Sequence, residues 1–111
     1  MKCETLDVWK RSSRLSVSIY KYFKASKDYS FKDQITRASL SIPSNIAEGF
    51  EKDSDKEKIH YLEIAKGSSA ELITQIYIGI EIGYIEKATG LEWVKELNET
   101  LRMLTGLKNN L

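Results

Sequence analysis

Hydrophobic residues recur along this chain at intervals of three and four residues, which is the period of an amphipathic α-helix. Short polar stretches interrupt the pattern three times, and no segment alternates apolar and polar residues as a half-buried strand would. The pattern predicts four helices, at residues 5–26, 31–52, 55–85 and 90–109. Because short connections make neighbouring helices antiparallel, we expect an all-α fold, an antiparallel up-and-down four-helix bundle that forms one domain over residues 1–111.

Three of the four predicted helices open with a capping signature, a serine or threonine followed three residues later by an acidic residue. The hydroxyl accepts a hydrogen bond from a free N–H of the first turn, and the carboxylate suits the positive end of the helix dipole. The signatures are Ser30 with Asp33, Ser54 with Glu57, and Thr89 with Glu92. They predict where the second, third and fourth helices begin.

The third predicted helix is apolar over more of its circumference than a single four-helix bundle buries. One stripe at coiled-coil spacing holds Leu62, Ala65, Ser69, Leu72, Ile76, Gly79 and Gly83. A second stripe holds Tyr61, Ile64, Ser68, Glu71, Gln75, Ile78 and Ile82, and a third holds Ile59, Ile73, Tyr77, Ile80 and Tyr84. A helix that is apolar on most sides is buried on more than one side, so we expect the chain to form a homo-oligomer.

Pro43 lies inside the second apolar stretch, where a proline removes a backbone hydrogen bond at a cost of about 3 kcal/mol. Two placements are open: a helix that begins at Pro43, or a longer helix from residue 31 that is kinked at Pro43. The apolar residues Ala38, Ile42 and Ile46 keep one helical register across the proline. This register favours the kinked helix, because a bend allows the helix to wrap around its neighbour.

Five polar residues of the second and third helices lie on faces that antiparallel neighbours bring together. They are Asn45, Glu48, Ser68, Glu71 and Gln75. Buried polar groups must pair, and a satisfied network fixes helix register, so we interpret them as a structural polar seam. Alternatively, Glu48 and Glu71 form an acid/base or metal pair as in di-iron bundles, but those sites need several histidines and His60 is the only one. We therefore expect no catalytic residue, no metal site, no cofactor and no enzyme activity.

Basic residues are concentrated in the first part of the chain, although the net charge is only +1. Residues 1–40 hold nine Lys and Arg against four Asp and Glu, whereas residues 41–111 hold eight against twelve. On the first helix a narrow arc holds Lys10, Arg14, Lys21 and Lys24, and the second helix adds Arg37. Such an arc suits the phosphates of RNA or DNA, or it is the solvated back of an amphipathic helix. The residues alone leave both interpretations open.

The single cysteine, Cys3, has no partner within the chain, which favours a reducing compartment. We expect it to be an unpaired thiol at a frayed N-terminus. The first residues contain no apolar run typical of a signal peptide, and no stretch of about 18 apolar residues is present for a membrane span. The sequence therefore predicts a cytoplasmic protein without membrane contact.

Three segments carry a resemblance to a known family. "QITRASLSIPSNIAEGF" is followed by "YLEIAKGSSAELITQIYIGIEIGYI", and "LDVWKRSSRL" is similar to the family's opening helix. Together they closely resemble the four-helix-bundle family of 23S rRNA intervening-sequence proteins, relatives of the accessory variability-determinant proteins of diversity-generating retroelements. The matching positions are Ser41, Pro43, Asn45, Ile46, Ala47, Glu48 and Gly49, then Ala65, Gly67, Ser68, Glu71, Leu72 and Gln75.

The resemblance implies an antiparallel bundle, and because some members form ring-shaped pentamers, it also implies a pentamer. It further implies RNA or DNA, or a reverse transcriptase or other protein, as partner. Two positions depart from the family pattern: Thr36 precedes Arg37 where paired basic residues are frequent, and Ser12 replaces a small apolar residue. The leading hypothesis is a non-enzymatic oligomer that binds nucleic acid through its basic first helix. The alternative is a protein-binding scaffold without nucleic-acid contact.

Overall fold

The computed structural model describes residues 1–111 and consists of four α-helices joined by short connections. The helices are α1 (Asp7–Tyr22), α2 (Tyr29–Phe50), α3 (Asp55–Glu81) and α4 (Lys87–Asn109). They pack into an elongated bundle of 43 × 21 × 20 Å that contains no strand. The predicted all-α four-helix bundle is therefore confirmed.

Each helix packs against two neighbours in a square arrangement. α1 contacts α2 and α4, and α3 contacts the same two helices from the opposite corner. Hydrogen bonds between the connections give the helix directions: the Glu86 N–H donates to Tyr22 Oη at 2.9 Å, and Tyr84 Oη donates to Asp28 Oδ2 at 2.8 Å. The α1–α2 and α3–α4 connections thus lie at the same end of the molecule, as an up-and-down bundle requires.

The core is one cluster of mainly aliphatic side chains from all four helices. Its fully buried members include Ile19, Ile35, Ile42, Ile46, Leu62, Leu72, Ile76, Leu97 and Leu104. Buried hydroxyls among them are paired: Ser16 Oγ lies 2.9 Å from Ser39 Oγ, and Ser69 Oγ donates to the Ala65 carbonyl at 2.9 Å. Because these groups have partners, they avoid the desolvation penalty of an unpaired polar atom.

The helix start predicted for α3 is confirmed, and the one predicted for α4 is wrong. Ser54 caps α3, accepting a hydrogen bond from the N–H three residues on at 3.2 Å. The predicted cap formed by Thr89 and Glu92 does not exist, because α4 begins directly after Glu86, whose side chain makes no capping bond. Ala88 is the strongest type of helix former, so the helix extends upstream and places Thr89 in its first turn.

The cap predicted for α2, Ser30 with Asp33, is also wrong. Asp28 occupies the cap position and accepts a hydrogen bond from the N–H of Phe31 at 3.1 Å. This bond and the one from Tyr84 lower the pKa of the Asp28 carboxyl. Aspartate serves as an N-cap as well as serine does, so α2 begins earlier and Ser30 lies in its first turn.

Two helices end earlier than the sequence pattern predicts. α1 ends at Tyr22 instead of residue 26, and α3 ends at Glu81 instead of residue 85. Gly83 has a φ of 81°, in the left-handed region that glycine favours, and the N–H groups of the next two residues donate to the Gly79 carbonyl at 2.8 and 3.0 Å. Gly83 therefore forms the turn that ends α3, and it is not a member of the coiled-coil stripe.

Pro43 lies in the interior of α2, which is helical on both sides of it. The alternative in which a helix begins at Pro43 is therefore wrong. Side-chain hydrogen bonds flank the proline: Ser39 Oγ donates to the Thr36 carbonyl at 2.7 Å, and Asn45 Nδ2 donates to the Ser41 carbonyl at 2.8 Å. Neither bond reaches the Ser39 carbonyl, the group whose backbone donor Pro43 lacks. The kink of α2 at Pro43 stays a prediction.

Cys3 is buried in the core, so the predicted frayed position at the N-terminus is wrong. The N–H of Lys2 donates to Glu51 Oε2 at 3.1 Å, which holds the N-terminal segment against the end of α2. Cys3 is a free thiol, as predicted. Its burial raises the thiol pKa, which keeps the group protonated at neutral pH and unreactive.

Gly49→Ala is expected to destabilise the bundle, because α2 and α3 approach closely at this glycine. A methyl group on Gly49 would lie 2.9 Å from Tyr61 Cβ and 3.4 Å from the Lys58 carbonyl oxygen, atoms that move only with α3 itself. Such overpacking costs about 1–3 kcal/mol. Chemical denaturation measures the loss.

The matched control is Gly67→Ala, in an open part of α3. An added methyl group at Gly67 meets nothing within 4 Å, and alanine favours the helix over glycine by up to about 1 kcal/mol. The two substitutions should therefore shift the free energy of unfolding in opposite directions. Equal stability of the two variants would contradict the close contact at Gly49.

Candidate nucleic-acid and protein interfaces

A line of four basic side chains, here called the basic stripe, faces solvent along α1. It contains Lys10, Arg14, Lys21 and Lys24, all of them exposed, and none has a carboxylate oxygen within 4.0 Å. The first three lie on α1, and Lys24 lies in the turn that follows. At 1.5 Å per residue the stripe is about 21 Å long. The structure therefore places these four predicted residues on one open, positively charged edge.

The fifth predicted basic residue, Arg37, is exposed on α2. Its Nε lies 3.5 Å from Asp33 Oδ2, an ion pair that is largely solvated and therefore weak. Arg11, by contrast, faces α4 and donates to both carboxylate oxygens of Glu96, at 2.7 and 2.9 Å. This paired hydrogen bond raises the pKa of Arg11 and separates it from the basic stripe.

A shallow apolar groove, here called the α1–α2 groove, lies beside the basic stripe. Val17, Tyr20 and Leu40 expose 53%, 43% and 48% of their surface in it, next to the buried Pro43. The remaining lining residues of this cavity of about 370 Å³ are Ser13, Ser16 and Lys21. Sequence reasoning missed the groove, because it forms only where two helices meet. The available signals were Val17 inside the basic arc and Leu40 on an otherwise polar face.

Part of the predicted polar seam links α2 to α3. Asn45 Nδ2 donates to Ser41 Oγ at 2.9 Å, and Ser41 Oγ lies 2.9 Å from Ser68 Oγ. Ser41, which the predicted seam did not include, is the residue that joins the other two. These bonds are short and partly buried, so they fix the register of α2 against α3.

The other predicted seam residues lie apart from this link. Gln75 Nε2 donates to Glu71 Oε1 at 3.3 Å along α3, and Gln75 Oε1 is buried without a partner. Glu48 is exposed and makes no side-chain hydrogen bond. Glu48 is next to Gly49, which packs on Tyr61 of α3. Glu71 lies ten residues further along α3 than Tyr61, so the two carboxylates are separated by about 15 Å along the bundle. The two carboxylates therefore do not form an acid/base or metal pair.

α3 leaves part of its apolar circumference uncovered. The first predicted stripe is buried from Leu62 to Gly79. Several members of the other two stripes are exposed, and four of them are called the α3 apolar surface: Ile64, Tyr77 and Ile78 on α3, and Ile82 directly after it. Ile78 and Ile82 expose 50% and 51% of their surface, one turn apart. Exposed apolar side chains that share one stripe, as Ile64, Ile78 and Ile82 do, are typical of a surface that contacts another protein chain.

The remaining polar chemistry is sparse. His60 is exposed, and its ring stands edge-on to that of Tyr61 with 5.1 Å between centroids. No group of three or more His, Cys, Asp or Glu side chains is arranged to hold a metal ion. None of the four helices combines the length and the hydropathy that crossing a membrane requires.

Comparison with known protein families gives a match over residues 4–106, which covers α1 to α3 and most of α4. The matching family is described as "23S rRNA-intervening sequence protein". This chain belongs to that family. The resemblance to the 23S rRNA-intervening sequence family carried by the motifs around Pro43 and Gly67 is thus confirmed.

A solved structure supports the same assignment. A protein of unknown function from the S23 ribosomal protein family of Bacteroides thetaiotaomicron VPI-5482, determined by crystallography at 1.70 Å resolution, is 25% identical to this chain. The alignment has a TM-score of 0.85 and covers 91% of this chain and 97% of that one. A search of curated proteins gave no match. The four-helix fold is therefore shared with that relative over nearly its whole length.

Proposed function

We propose that this member of the 23S rRNA-intervening sequence family is a non-enzymatic oligomer that binds RNA or DNA through its basic stripe. The observation that carries the proposal is the alignment of Lys10, Arg14, Lys21 and Lys24, exposed and without acidic partners. Cations that are not neutralised within the protein are available to phosphates. Arg37 extends the positive surface onto α2.

The comparison with other surfaces of the same molecule supports this interpretation over a plain solvated face. Two cations on other surfaces are neutralised: Arg11 bonds Glu96, and Lys108 Nζ lies 2.8 Å from Glu63 Oε1. The Lys108 contact also lowers the pKa of Glu63. The outer face of α1 differs, because the helix contains no acidic residue after Asp7. A face with one sign of charge attracts anionic partners.

Replacing the four basic-stripe residues with glutamine is expected to remove most nucleic-acid binding at moderate salt. Each phosphate contact contributes about 0.7–0.9 to the slope of log affinity against log salt, so the slope should fall by about 3. Fluorescence anisotropy with labelled RNA and DNA oligonucleotides, titrated at several salt concentrations, measures both quantities. Unchanged retention of RNA and DNA by the variant would exclude the stripe as a binding site.

A matched control keeps the loss of charge but moves it to other surfaces. Four exposed cations outside α1 and α2 serve for this variant, also changed to glutamine: Lys56, Lys87, Lys95 and Arg102. Its net charge equals that of the stripe variant. If binding depends on the stripe, the control should keep most of its affinity; an equal loss in both would indicate only non-specific attraction to net charge.

We further propose that the chain forms a homo-oligomer through the α3 apolar surface, with the pentamer implied by the family resemblance as the expected form. The support is the pair Ile78 and Ile82, which a single chain leaves half exposed. The same surface favours a second candidate function, a scaffold that binds a reverse transcriptase or another protein without contacting nucleic acid. Glutamine substitution of the stripe separates the two functions, because the scaffold does not need the lysines.

The free thiol of Cys3 supports a reducing compartment, the cytoplasm.

A further inference from the structure

We propose that the nucleic acid held by the basic stripe is single-stranded, with unpaired bases lying in the α1–α2 groove. The inference rests on the proposed function and names its substrate class. It follows from the combination of two surfaces that adjoin each other: a line of cations for phosphates, and an apolar depression with an aromatic ring for bases.

The two surfaces share one residue, Lys21, which fixes their relative position. Val17 lies one turn from Arg14 and one turn from Lys21 on α1, and Lys21 also lines the groove. On the other side, Leu40 lines the groove from α2, one turn from Arg37. Cations therefore flank an apolar centre on both helices. This charge complementarity suits a chain whose backbone is anionic and whose side groups are flat and weakly hydrated.

The exposed aromatic rings favour bases over other occupants of the groove. Tyr20 exposes nearly half of its surface at the groove, and it makes no hydrogen bond and no aromatic contact. Tyr29, exposed by 70%, begins α2 and is eleven residues from Leu40, about three turns, so both share one face of α2. Aromatic rings beside a positively charged track are the arrangement on which bases of a single strand stack.

A double helix would gain little from this surface. Its bases are stacked inside the duplex, so neither Tyr20 nor the apolar wall at Leu40 has a base face to contact. Phosphates placed over Val17 would also lose water without gaining a hydrogen-bond donor. The groove therefore discriminates between the two forms, whereas the basic stripe alone binds both.

The test compares binding of a labelled 12-nucleotide oligouridine RNA with that of a duplex RNA of the same number of phosphates. Fluorescence anisotropy should give tighter binding to the single strand. Tyr20→Ala and Leu40→Ser should each weaken binding to the single strand by about five-fold or more, while the salt slope is unchanged, because phosphate contacts remain. The affinity of each variant for the duplex should change by less than about two-fold, because duplex binding depends on the phosphate contacts, which these substitutions leave in place.

Two controls make the result specific. Tyr20→Phe keeps the ring and should bind like the unchanged protein, and Leu91→Ser removes a similarly exposed apolar side chain from α4 and should have no effect. Circular dichroism verifies that each variant is folded. Leu40→Ser leaves the Tyr20 ring in place, so it tests the apolar wall of the groove independently of stacking.

Other outcomes overturn the inference, and they separate its failure from that of the proposed function. Equal or tighter binding of the duplex would refute the single-strand preference while the basic stripe keeps its role. Failure to bind either RNA or the corresponding DNA oligonucleotides would refute both proposals. If Tyr20→Ala or Leu40→Ser altered self-association and left RNA affinity unchanged, the groove would be a protein contact instead.

Discussion

The Leu72→Ala variant is expected to lose about 2–5 kcal/mol of its free energy of unfolding. Leu72 is fully buried in the middle of α3, the helix that packs against both α2 and α4. Removing its branched end leaves a cavity between α2, α3 and α4. These helices cannot close the cavity without losing packing contacts at other positions. Because domains of this size are stable by only about 5–15 kcal/mol, a large share of the folding energy would disappear. Urea unfolding followed by circular dichroism measures the change.

The control for this prediction is Ile78→Ala in the same helix. Both substitutions remove apolar atoms from a residue of similar size, but half of Ile78 is exposed in the single chain. At dilutions where the protein is monomeric, Ile78→Ala should cost less than about 1 kcal/mol. A loss at Leu72 no larger than the loss at Ile78 would contradict the complete burial of Leu72 in the core.

The double variant Ile78→Ser with Ile82→Ser is expected to be a folded monomer with a mass near 12.7 kDa, whereas the unchanged protein is expected to sediment with a multiple of that mass. The two isoleucines contribute little to the core of one chain, so their loss should spare the fold. They are the most exposed isoleucines of the α3 apolar surface, and burial of apolar area is the main driving force for association. Light scattering and sedimentation equilibrium measure the mass.

The matched control removes two apolar side chains from the other exposed surface, Val17→Ser with Leu40→Ser in the α1–α2 groove. This control should assemble like the unchanged protein, although its affinity for single-stranded RNA should fall. If the unchanged protein itself has a stable mass near 12.7 kDa at micromolar concentration, the proposed oligomer is wrong. If only the groove variant dissociates, the assembly surface lies on α1 and α2 instead of α3.

Helix periodicity predicted the architecture because it repeats over many residues, but helix ends depend on one or two. Ser54 was recognised as a cap because an acidic residue, Glu57, follows it three positions later, whereas the competing Asp53 is followed there by Lys56. At α2, Asp28 competes with Ser30 and gains a second hydrogen bond from Tyr84, a residue 56 positions away. No local pattern contains that bond. The end of α3 was missed for a similar reason. The spacing of Gly83 fits the coiled-coil stripe, but its positive φ ends the helix.

The sequence also predicted a candidate surface on one helix better than those formed by two helices. The basic stripe follows from the helical period of a single segment, so the sequence identified its residues, including the exposure of Lys10 and Arg14. The α1–α2 groove requires knowing which faces of two helices meet, and the sequence does not specify that. The polar link between α2 and α3 was found only in part, because the predicted seam did not include Ser41, whose hydroxyl lies 2.9 Å from Ser68 Oγ.

The hydrogen bonds of Tyr22 and Tyr84 tie the α1–α2 connection to the α3–α4 connection at one pole of the molecule. A peptide inserted into either connection would break the hydrogen bonds that join the two connections, so an insertion at this end of the molecule should destabilise the bundle. At the opposite pole, Asp53 lies between α2 and α3 and is exposed, and its side chain makes no hydrogen bond. A fluorescent or affinity tag for studying the protein in cells is therefore best inserted beside Asp53, ahead of the Ser54 cap.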